Sequence, residues 1–283
     1  MLGFLNIYKP SGITSNAVVQ KIKKRFGIKK IGHMGTLDPM ACGILPIAIG
    51  KATRLFDYSL NKTKRYTAIF DFGYTTDTLD ITGTITNEGG NIPTCEDINY
   101  VTHKLVGTIN QIPPIYSAKN INGSRAYDLA RKGIEFELKP KEITIYDLKL
   151  IEQVGDNQFK FDIICSSGTY IRSIARDLAE LLGTYGCMSF LERTETGIFT
   201  IKTSIALDDI LEKNLDDCLL SPIDVFNNFD IVEIDKQLFD DVLNGKRPLF
   251  KKLNIQTFIV YKNDIVGVAK LNSNELILDT FLY

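Results

Sequence analysis

The hydrophobic and polar positions of the chain fall into short periods that predict strands alternating with helices. Weak alternation over Leu2 to Tyr8 predicts a strand, and the turn residues that follow it end at Gly12. A helix is predicted from residue 14 or 15 to about Phe26, closed by Gly27. Thr and Ser cap helices well, and apolar side chains then recur every fourth position at Val18, Ile22 and Phe26.

Later segments show the same two patterns, which are alternation for strands and apolar side chains every third or fourth position for helices. Strands are predicted over residues 64–73, 143–151 and 158–166, and helices over residues 51–58, 94–105, 124–132 and 169–182. The last of these helices has a predicted buried stripe of Ile171, Ile174, Leu178 and Leu181. Thr94 and Asp97 form a predicted capping box, and His103 is predicted to be a structural residue inside the helix that follows.

Other segments lack a long period. Residues 73–83 are rich in Thr, Asp and Gly and predict a loop, and residues 188–201 predict a short turn and strand. From about Ile231 the pattern changes to a helix at 238–243 and short strands at 257–261, 265–271 and 276–278. The sequence therefore predicts an α+β fold with a small β-rich terminal domain.

Composition excludes several classes of protein. With 283 residues, 44% of them hydrophobic and 24% charged, the chain has the make-up of an ordinary globular protein. We expect neither a signal peptide nor a bilayer-spanning segment, because no stretch approaches the ~20 apolar residues that a span requires. The five cysteines are scattered without a CxxC pair, so we expect reduced thiols, a cytoplasmic location and no disulfide or zinc framework.

Charge is distributed unevenly along the chain. Residues 1–70 hold twelve Lys and Arg against two acidic residues, and residues 203–243 hold eleven Asp and Glu against two Lys. Although the net charge is only −1, the first quarter can supply a basic face for nucleic acid. The same lysines can equally serve as the solvated face of a helix, and charge alone leaves both readings open.

Candidate chemistry is concentrated in GHMGTLDPMACGILPIAIG, residues 32–50. Pro39 disfavours a helical conformation at Asp38, so the carboxylate lies on a stiff loop before a strand-like apolar run. The density of glycine indicates a tightly bent backbone or the close approach of a ligand. Spacing alone also allows an ordinary turn, because Asp before Pro is a common way to open one.

Two further segments carry residue types that suit RNA. Residues 107–140 mix aromatic and basic side chains, which favours contact with an RNA backbone and unstacked bases, although an ordinary surface loop fits too. The mixed side chains are Tyr116, Lys119, Arg125, Tyr127 and Arg131. Arg172 falls in the first turn of a predicted helix, where it opposes the helix dipole, so it is expected to have a carboxylate or phosphate partner.

The segment around Asp38 closely resembles the catalytic motif of the TruB family of pseudouridine synthases, G-H-x-G-x-L-D-P-x-A-x-G-x-L-P, at every fixed position. The resemblance extends from Gly3 to at least Phe226 and more weakly beyond. It includes Lys9-Pro10 with Gly12 and Ser15, the KRY of 64–66, the TDTLDITG of 76–83, the PPIYSA of 113–118, the CSSGTYIR of 165–172 and the LERTETG of 191–197.

This resemblance implies a fold and a reaction. The expected fold is a mixed, mostly antiparallel sheet with helices around a central cleft, over residues 1–228, with an RNA-gripping thumb at about 107–140. Residues 229–283 resemble a short PUA-like RNA-binding domain. The implied reaction is isomerisation of uridine to pseudouridine at position 55 in the T-loop of tRNA, by a monomer without a metal, a cofactor or an obligatory protein partner.

The resemblance also implies roles for individual residues. Asp38 would be the nucleophile, attacking C1′, assisting a glycal intermediate or adding to C6, and the sequence leaves these routes open. Arg172 would pair with Asp38, aim it and lower its pKa. Tyr66 would stack on the uracil, and its phenol could take the C2′ proton in the glycal route.

The remaining implied roles concern RNA binding. The target base must be flipped out of the T-loop, with His33 wedged into the vacated space. Asp77 would contact the splayed loop, Leu191 would pack on the flipped base, and Tyr170 would lie at the RNA. Lys9 is expected to be either a structural residue or a phosphate contact. Without the resemblance, Leu191 would be read as a core residue and Asp77 as a turn former.

Two other functions remain in competition. The chain could be the catalytic subunit of a guide-RNA particle, as in dyskerin-like relatives, although a short terminal domain without a long basic tail argues against this. It could also be a non-catalytic RNA-binding or tRNA-folding protein, against which the intact Asp38, Tyr66 and Arg172 argue.

Overall fold

The computed structural model describes residues 2–59, 63–117, 119–121, 123–226, 229–246, 257–272 and 275–282. Ala118, at the end of the PPIYSA segment, and Pro248, in the terminal region, lie outside these ranges. The strands, in chain order, are β1 (Leu2–Lys9), β2 (Ile31–His33), β3 (Cys42–Gly50), β4 (Lys64–Phe72), β5 (Tyr74–Thr76), β6 (Ile85–Glu88), β7 (Gly107–Gln111), β8 (Asn120–Ile121), β9 (Ser124–Arg125), β10 (Lys141–Gln153), β11 (Gln158–Cys165), β12 (Gly186–Thr196), β13 (Phe199–Thr200), β14 (Ile205–Ala206), β15 (Asp230–Glu233), β16 (Thr257–Tyr261), β17 (Asp264–Asn272) and β18 (Glu275–Phe281).

Seven α-helices are described. They are α1 (Ser15–Phe26), α2 (Cys95–Thr102), α3 (Ala126–Arg131), α4 (Ile171–Leu181), α5 (Leu207–Glu212), α6 (Pro222–Val225) and α7 (Lys236–Leu243). Single 3₁₀ segments cover Lys51–Ser59, His103–Leu105, Ile201–Thr203 and Asp216–Cys218. The predicted caps of α1 are confirmed, because Thr14 accepts a hydrogen bond from Ala17 N and Gly27 closes the helix at φ 63°.

A large mixed sheet forms the centre of the molecule, as the α+β prediction expects. Its strand order is β14-β1-β3-β12-β4-β11-β10-β7, with β2 added to β3 and β13 to β12. The pairs β3·β12 and β1·β14 are parallel, and the other described pairs in this sheet are antiparallel. Since β12 lies between β3 and β4, it brings the chain after Asp38 next to the strand that carries Tyr66.

The junction of β3 and β12 requires a glycine at position 43. Gly43 pairs with Arg193 and has a φ of 102°, a conformation that side chains with a Cβ rarely adopt. A Cβ at this position would lie 2.3 Å from the Arg193 carbonyl oxygen. The glycine therefore permits the close strand approach on which the cleft is built.

A smaller sheet, in the order β15-β16-β17-β18, packs against the large one. Phe258, Val260 and Val268 of the small sheet share a hydrophobic cluster with Phe4 and Ile44 of the large sheet. The two sheets are therefore joined by a common core.

Several predicted elements differ from the structure. The region 188–201 is not a short turn and strand, because the eleven-residue β12 occupies 186–196 at the sheet centre. The loop predicted at 73–83 contains β5, which pairs with β6. Helix α2 ends at Thr102, so His103 lies in a 3₁₀ turn, and Leu181 is 42% exposed rather than part of the buried stripe of α4.

Candidate active site

The loop that carries Asp38 is hydrogen-bonded to the segment of residues 9–15, which we call the 9–15 clamp. Ser15 is buried, and its hydroxyl both accepts from Leu37 N at 2.9 Å and donates to Leu37 O at 3.0 Å. Gly12 N donates to Pro39 O at 2.8 Å. The backbone on both sides of Asp38 is thereby fixed, so the carboxylate is presented from a rigid support.

Lys9 belongs to this clamp and is 0% exposed. Its ammonium group donates to the carbonyl oxygens of Pro10, Ile13 and Pro39 at 2.9, 2.7 and 3.3 Å. Burial lowers its pKa to about 8. Of the two roles predicted for Lys9, the structural one agrees with this geometry, and a direct phosphate contact does not.

Arg172, in the first turn of α4, collects acceptors from several parts of the chain. Its Nε lies 3.0 Å from Asp38 Oδ2, and its Nη1 lies 3.3 Å from Asp80 Oδ2. The same guanidinium donates to Thr78 O at 2.9 Å and to Tyr116 O at 3.1 Å. The carboxylate partner expected for Arg172 is therefore present twice, which explains why an Arg is tolerated at a helix N-terminus.

Asp80 is the second carboxylate of this network, and the sequence reading assigned it no role. Its Oδ1 accepts hydrogen bonds from Thr78 Oγ1, Thr82 N and Thr82 Oγ1 at 2.9, 3.0 and 2.5 Å. It is buried, and Arg172 is the cation that balances it. Its position as the second Asp of the TDTLDITG segment, residues 76–83, was the available signal.

Two opposing effects act on the pKa of Asp38, which are burial of the carboxyl group and its ion pair with Arg172. The side chain of Asp38 is 33% exposed, but its carboxyl group lies deep in the cleft, and this burial raises its pKa above the ordinary value. Arg172 opposes the rise, and the nearby Asp80 adds to it. Arg172 therefore has the lowering effect on the pKa that was predicted for it, but desolvation outweighs the ion pair and the net shift is upward.

Tyr66 projects from β4 into the same cleft and is buried. Burial raises the pKa of its phenol to about 12, and the nearby Arg193 works against that rise. The strand register explains the neighbourhood, because Arg193 on β12 pairs directly with Tyr66. At neutral pH the phenol is protonated, so it can act as a hydrogen-bond donor or an aromatic platform.

A cleft of about 590 Å³ opens over these groups. Six of the eight residues singled out from the sequence line it: His33, Asp38, Tyr66, Tyr170, Arg172 and Leu191. Asp77 does not line this cleft. It lines a second cavity of about 890 Å³, whose walls include parts of residues 115–136 and of α4, and it accepts a hydrogen bond from Thr84 N at 2.8 Å. Lys9 lies beneath the cleft floor, within the clamp.

Three basic residues that sequence reasoning assigned no role also line the cleft: Lys64, Lys141 and Arg193. Arg193 is 1% exposed and links β12 to β3 and to the Asp38 loop. It donates hydrogen bonds to Ile44 O at 2.7 Å and to Gly35 O at 3.0 Å. Lys64 donates to Ser167 Oγ at 2.7 Å. Lys64 and Arg193 both fall within quoted motifs, whereas no signal marked Lys141.

The described residues are also informative about metal binding and membrane insertion. They contain no group of three or more His, Cys, Asp or Glu side chains arranged to hold a metal ion. Within the same part of the chain, no helix is both long and apolar enough to cross a membrane.

Comparison with solved structures supports the fold. A chain in the crystal structure of a Cbf5-Nop10-Gar1 complex matches 99% of this chain and 85% of its own length, with a TM-score of 0.75 and 23% identity. A chain in the structure of an H/ACA RNP bound to a substrate RNA containing 2′-deoxyuridine matches the same shares, with a TM-score of 0.72 and 22% identity. At this level of identity the likeness concerns the fold alone.

Sequence comparison gives closer relatives. A tRNA pseudouridine synthase B of Caldanaerobacter subterraneus subsp. tengcongensis is 44% identical over 268 residues, covering 94% of this chain and 92% of the relative. The protein of the same name from Clostridium novyi is 39% identical over 289 residues and covers both chains fully. That of Francisella philomiragia is 42% identical over 289 residues, covering 99% and 94%.

Family models match the chain in two consecutive parts. Residues 23–171 match the N-terminal domain of the TruB family pseudouridylate synthases, and residues 172–225 match the C-terminal domain of tRNA pseudouridylate synthase B. The junction falls between Ile171 and Arg172, so the two matches together hold Asp38, Tyr66 and the arginine that binds Asp38. This chain belongs to the TruB family of pseudouridylate synthases.

Proposed function

We propose that this protein isomerises uridine to pseudouridine in tRNA, at position 55 of the T-loop, with Asp38 as the nucleophile. The single observation that carries the chemistry is the Asp38–Arg172 ion pair, 3.0 Å long, in a cleft large enough for a nucleoside. The names of the relatives that match nearly the whole chain support tRNA as the substrate.

The reaction breaks the N1–C1′ bond, turns the uracil and joins C5 to C1′. The C5 proton is lost and N1 gains one, so substrate and product are isomers and the conversion is redox-neutral. We therefore propose that no cofactor or metal takes part. Asp38 acts by attack at C1′, by assisting a glycal or by addition to C6, and the geometry supports each route equally.

The other cleft residues receive supporting roles. Tyr66 stacks on the flipped uracil, and Leu191 packs against it. His33 and Tyr170 face the RNA at the cleft, where His33 fills the space that the base leaves. In the glycal route Tyr66 receives the C2′ proton, which its raised pKa permits only if a neighbouring group first takes the phenol proton. Asp77, in the second cavity, contacts the splayed loop.

The proposed domain organisation follows from the same reading. Residues 1–228 form the catalytic domain, with a thumb at about 107–140, and residues 229–283 form a short PUA-like RNA-binding domain. The protein acts as a monomer in the cytoplasm without an obligatory protein partner. The likeness to Cbf5 concerns fold only, so we do not extend a guide-RNA arrangement to this chain.

The direct test incubates the purified protein with an unmodified tRNA transcript and maps pseudouridine by chemical labelling and primer extension. We expect product at the T-loop uridine without guide RNA or cofactor. Tight tRNA binding without product would support the non-catalytic alternative. Activity that appears only with guide RNA and partner proteins would support a particle subunit.

A further inference from the structure

Two lysines face the Asp38 cleft without a carboxylate partner. Lys64 and Lys141 line the cleft, and in the described part of the chain neither forms an ion pair. Arg172, in the same cleft, is balanced by two carboxylates. Lys64 is half-buried and Lys141 is exposed. A partly desolvated cation that lacks a counter-ion is unfavourable, which makes Lys64, with the exposed Lys141 beside it, a candidate for binding an anion from outside.

The lysines converge on the turn between β11 and α4. Lys64 Nζ donates to Ser167 Oγ at 2.7 Å. Lys141 crosses the next residue, Gly168, so closely that a Cβ there would lie 2.0 Å from Nζ. Gly168 also has a φ of 85°, so its backbone conformation favours glycine, and the Lys141 side chain lies in the space that the missing Cβ leaves.

The opposite side of Lys64 faces the Asp38 loop. Its Cε lies 3.8 Å from where a Cβ would stand at Gly35, three residues before Asp38. Lys64 therefore lies between the loop that presents the nucleophile and the turn that begins α4. That helix has eleven residues, and its N-cap residue Tyr170 makes no side-chain cap hydrogen bond, so the helix adds positive potential at the turn.

Electrostatics at this point match an anion rather than a base. Burial, together with the nearby Arg193 and Lys141, lowers the pKa of Lys64 to about 8. An incoming negative charge relieves the repulsion among the three cations. Uracil and ribose are neutral, so the anionic groups of an RNA that lie near C1′ of a bound uridine are its adjoining phosphodiesters.

We propose that Lys64, Lys141 and the Ser167 hydroxyl form a phosphate subsite, which holds a phosphodiester adjoining the flipped uridine and so places its ribose against Asp38. The proposal rests on the proposed function, since it assumes a uridine in the Asp38 cleft. It gives Lys64 and Lys141 a role as substrate-positioning residues, separate from the groups that react.

The test removes the negative charge of one phosphate in the RNA and, separately, the positive charges of the two lysines in the protein. A T-stem-loop RNA is made with one neutral methylphosphonate, either 5′ or 3′ of the target uridine or, as a control, in the stem. Dissociation constants are measured by fluorescence anisotropy in the Asp38→Ala background, which prevents turnover. Three proteins are compared in this background. The first carries no further change, the second carries both Lys64→Gln and Lys141→Gln, and the third carries Lys149→Gln. Lys149 is the matched control, because it is an exposed lysine of β10 like Lys141 but pairs with Asp147 and does not line the cleft.

We expect one methylphosphonate beside the target to weaken binding about tenfold to the protein with both lysines, and less than about twofold to the double Gln variant. The stem methylphosphonate and Lys149→Gln should show no such coupling. Loss of this one phosphate contact should also reduce the slope of log Kd against log salt by about 0.7. Thermal melting checks that each variant is folded, and Lys141→Arg should retain binding.

Equal weakening of both proteins at both phosphates would overturn the subsite. This outcome is distinguishable from failure of the proposed function, because the unaltered protein is assayed in parallel on the natural stem-loop. Absence of pseudouridine there rejects the function, whereas product formation with independent losses rejects only the roles of Lys64 and Lys141.

Discussion

At the scale of single residues, the reactive group and the groups that support it have separable effects. Asp38 forms an ion pair with Arg172 and is one of many residues that line the cleft. We expect Asp38→Ala to abolish turnover while leaving tRNA affinity within a few fold of the original. Single-turnover assays and filter binding measure the two quantities. Turnover close to that of the unaltered protein would reject Asp38 as the nucleophile.

Arg172 is expected to affect both catalysis and stability. Its removal leaves Asp80 buried without a counter-ion, which typically costs about 3–5 kcal/mol. We therefore expect Arg172→Ala to lower the denaturation midpoint and to cut the single-turnover rate by orders of magnitude. A lysine ammonium cannot reach the four acceptors that the planar Arg172 guanidinium binds, so Arg172→Lys should not restore the rate.

Denaturant titration of Arg172→Ala, run beside Asp80→Asn, separates these effects. Asp80→Asn removes the second carboxylate without leaving a buried charge, so it should retain more stability than Arg172→Ala. If Asp80→Asn and Arg172→Lys both kept full activity, the network would have no part in aiming Asp38.

How much of the site could be predicted depends on what each residue's role requires. Asp38 and Arg172 lie in distinctive motifs, and the resemblance predicted their pairing. The raised pKa of Asp38 could not be predicted, because it depends on how much surrounding structure removes water from the carboxyl group. Lys141 lies outside the motifs, and only the fold brings it to Gly168.

At the scale of elements, the 9–15 clamp and helix α1 overlap at Ser15, and the neighbouring residues Thr14 and Ser15 have different roles. Thr14 caps the helix, whereas Ser15, the next residue, holds the backbone of Leu37 by two hydrogen bonds. We expect Ser15→Ala to lower the single-turnover rate at least tenfold, since a small displacement of Asp38 has a large effect on the reaction. Affinity for tRNA should change little.

Thr14→Ala is the matched control for this prediction. Loss of the cap should destabilise the protein by about 1 kcal/mol, while the Asp38 loop keeps its contacts. A rate loss in Ser15→Ala at equal melting temperature would identify a positioning effect. Equal rates in both variants would mean that the remaining bonds of the clamp suffice.

Elements were predictable where local chemistry decides them. The ends of α1 and the capping box of α2 depend on neighbouring residues, and both were predicted. Strand β12 was underestimated, because LERTETG has few apolar side chains. Its Arg193 and Thr196 are buried through partners on other strands, which the sequence of β12 does not reveal.

At the scale of the whole molecule, part of the basic first quarter of the chain packs beside an acidic segment. Helix α1 carries its lysines beside the acidic α5, and Arg25 Nε donates to Leu211 O at 2.6 Å. The remaining basic surface is still expected to contact phosphates. We therefore expect tRNA affinity to fall steeply between about 50 and 200 mM salt. Anisotropy titrations measure this, and a flat response would assign that surface to solvation alone.

The small sheet should contribute to stability as well as to RNA binding. Besides the shared core, Arg54 donates to Phe281 O, and Tyr58 contacts Asp279 and Thr280. We expect a chain ending at residue 228 to melt at a distinctly lower temperature, because it exposes the cluster around Phe4 and Phe226. Calorimetry of both chains tests this. An unchanged melting temperature would indicate that the two sheets fold independently.

The network around Arg172 has a consequence for how the protein acquires its activity. The hydrogen bonds of this side chain to Thr78 and Tyr116 span 94 and 56 residues, and its ion pair reaches back to Asp38. Contacts of such long sequence separation require large loops to close and form slowly. Helices depend on local contacts, so a refolding chain will regain them before Asp38 is aimed, whereas central sheet pairs such as Tyr66 with Arg193 are as distant in sequence as the Arg172 network. Recovery of catalysis should therefore lag behind circular dichroism, making activity the last native property to return.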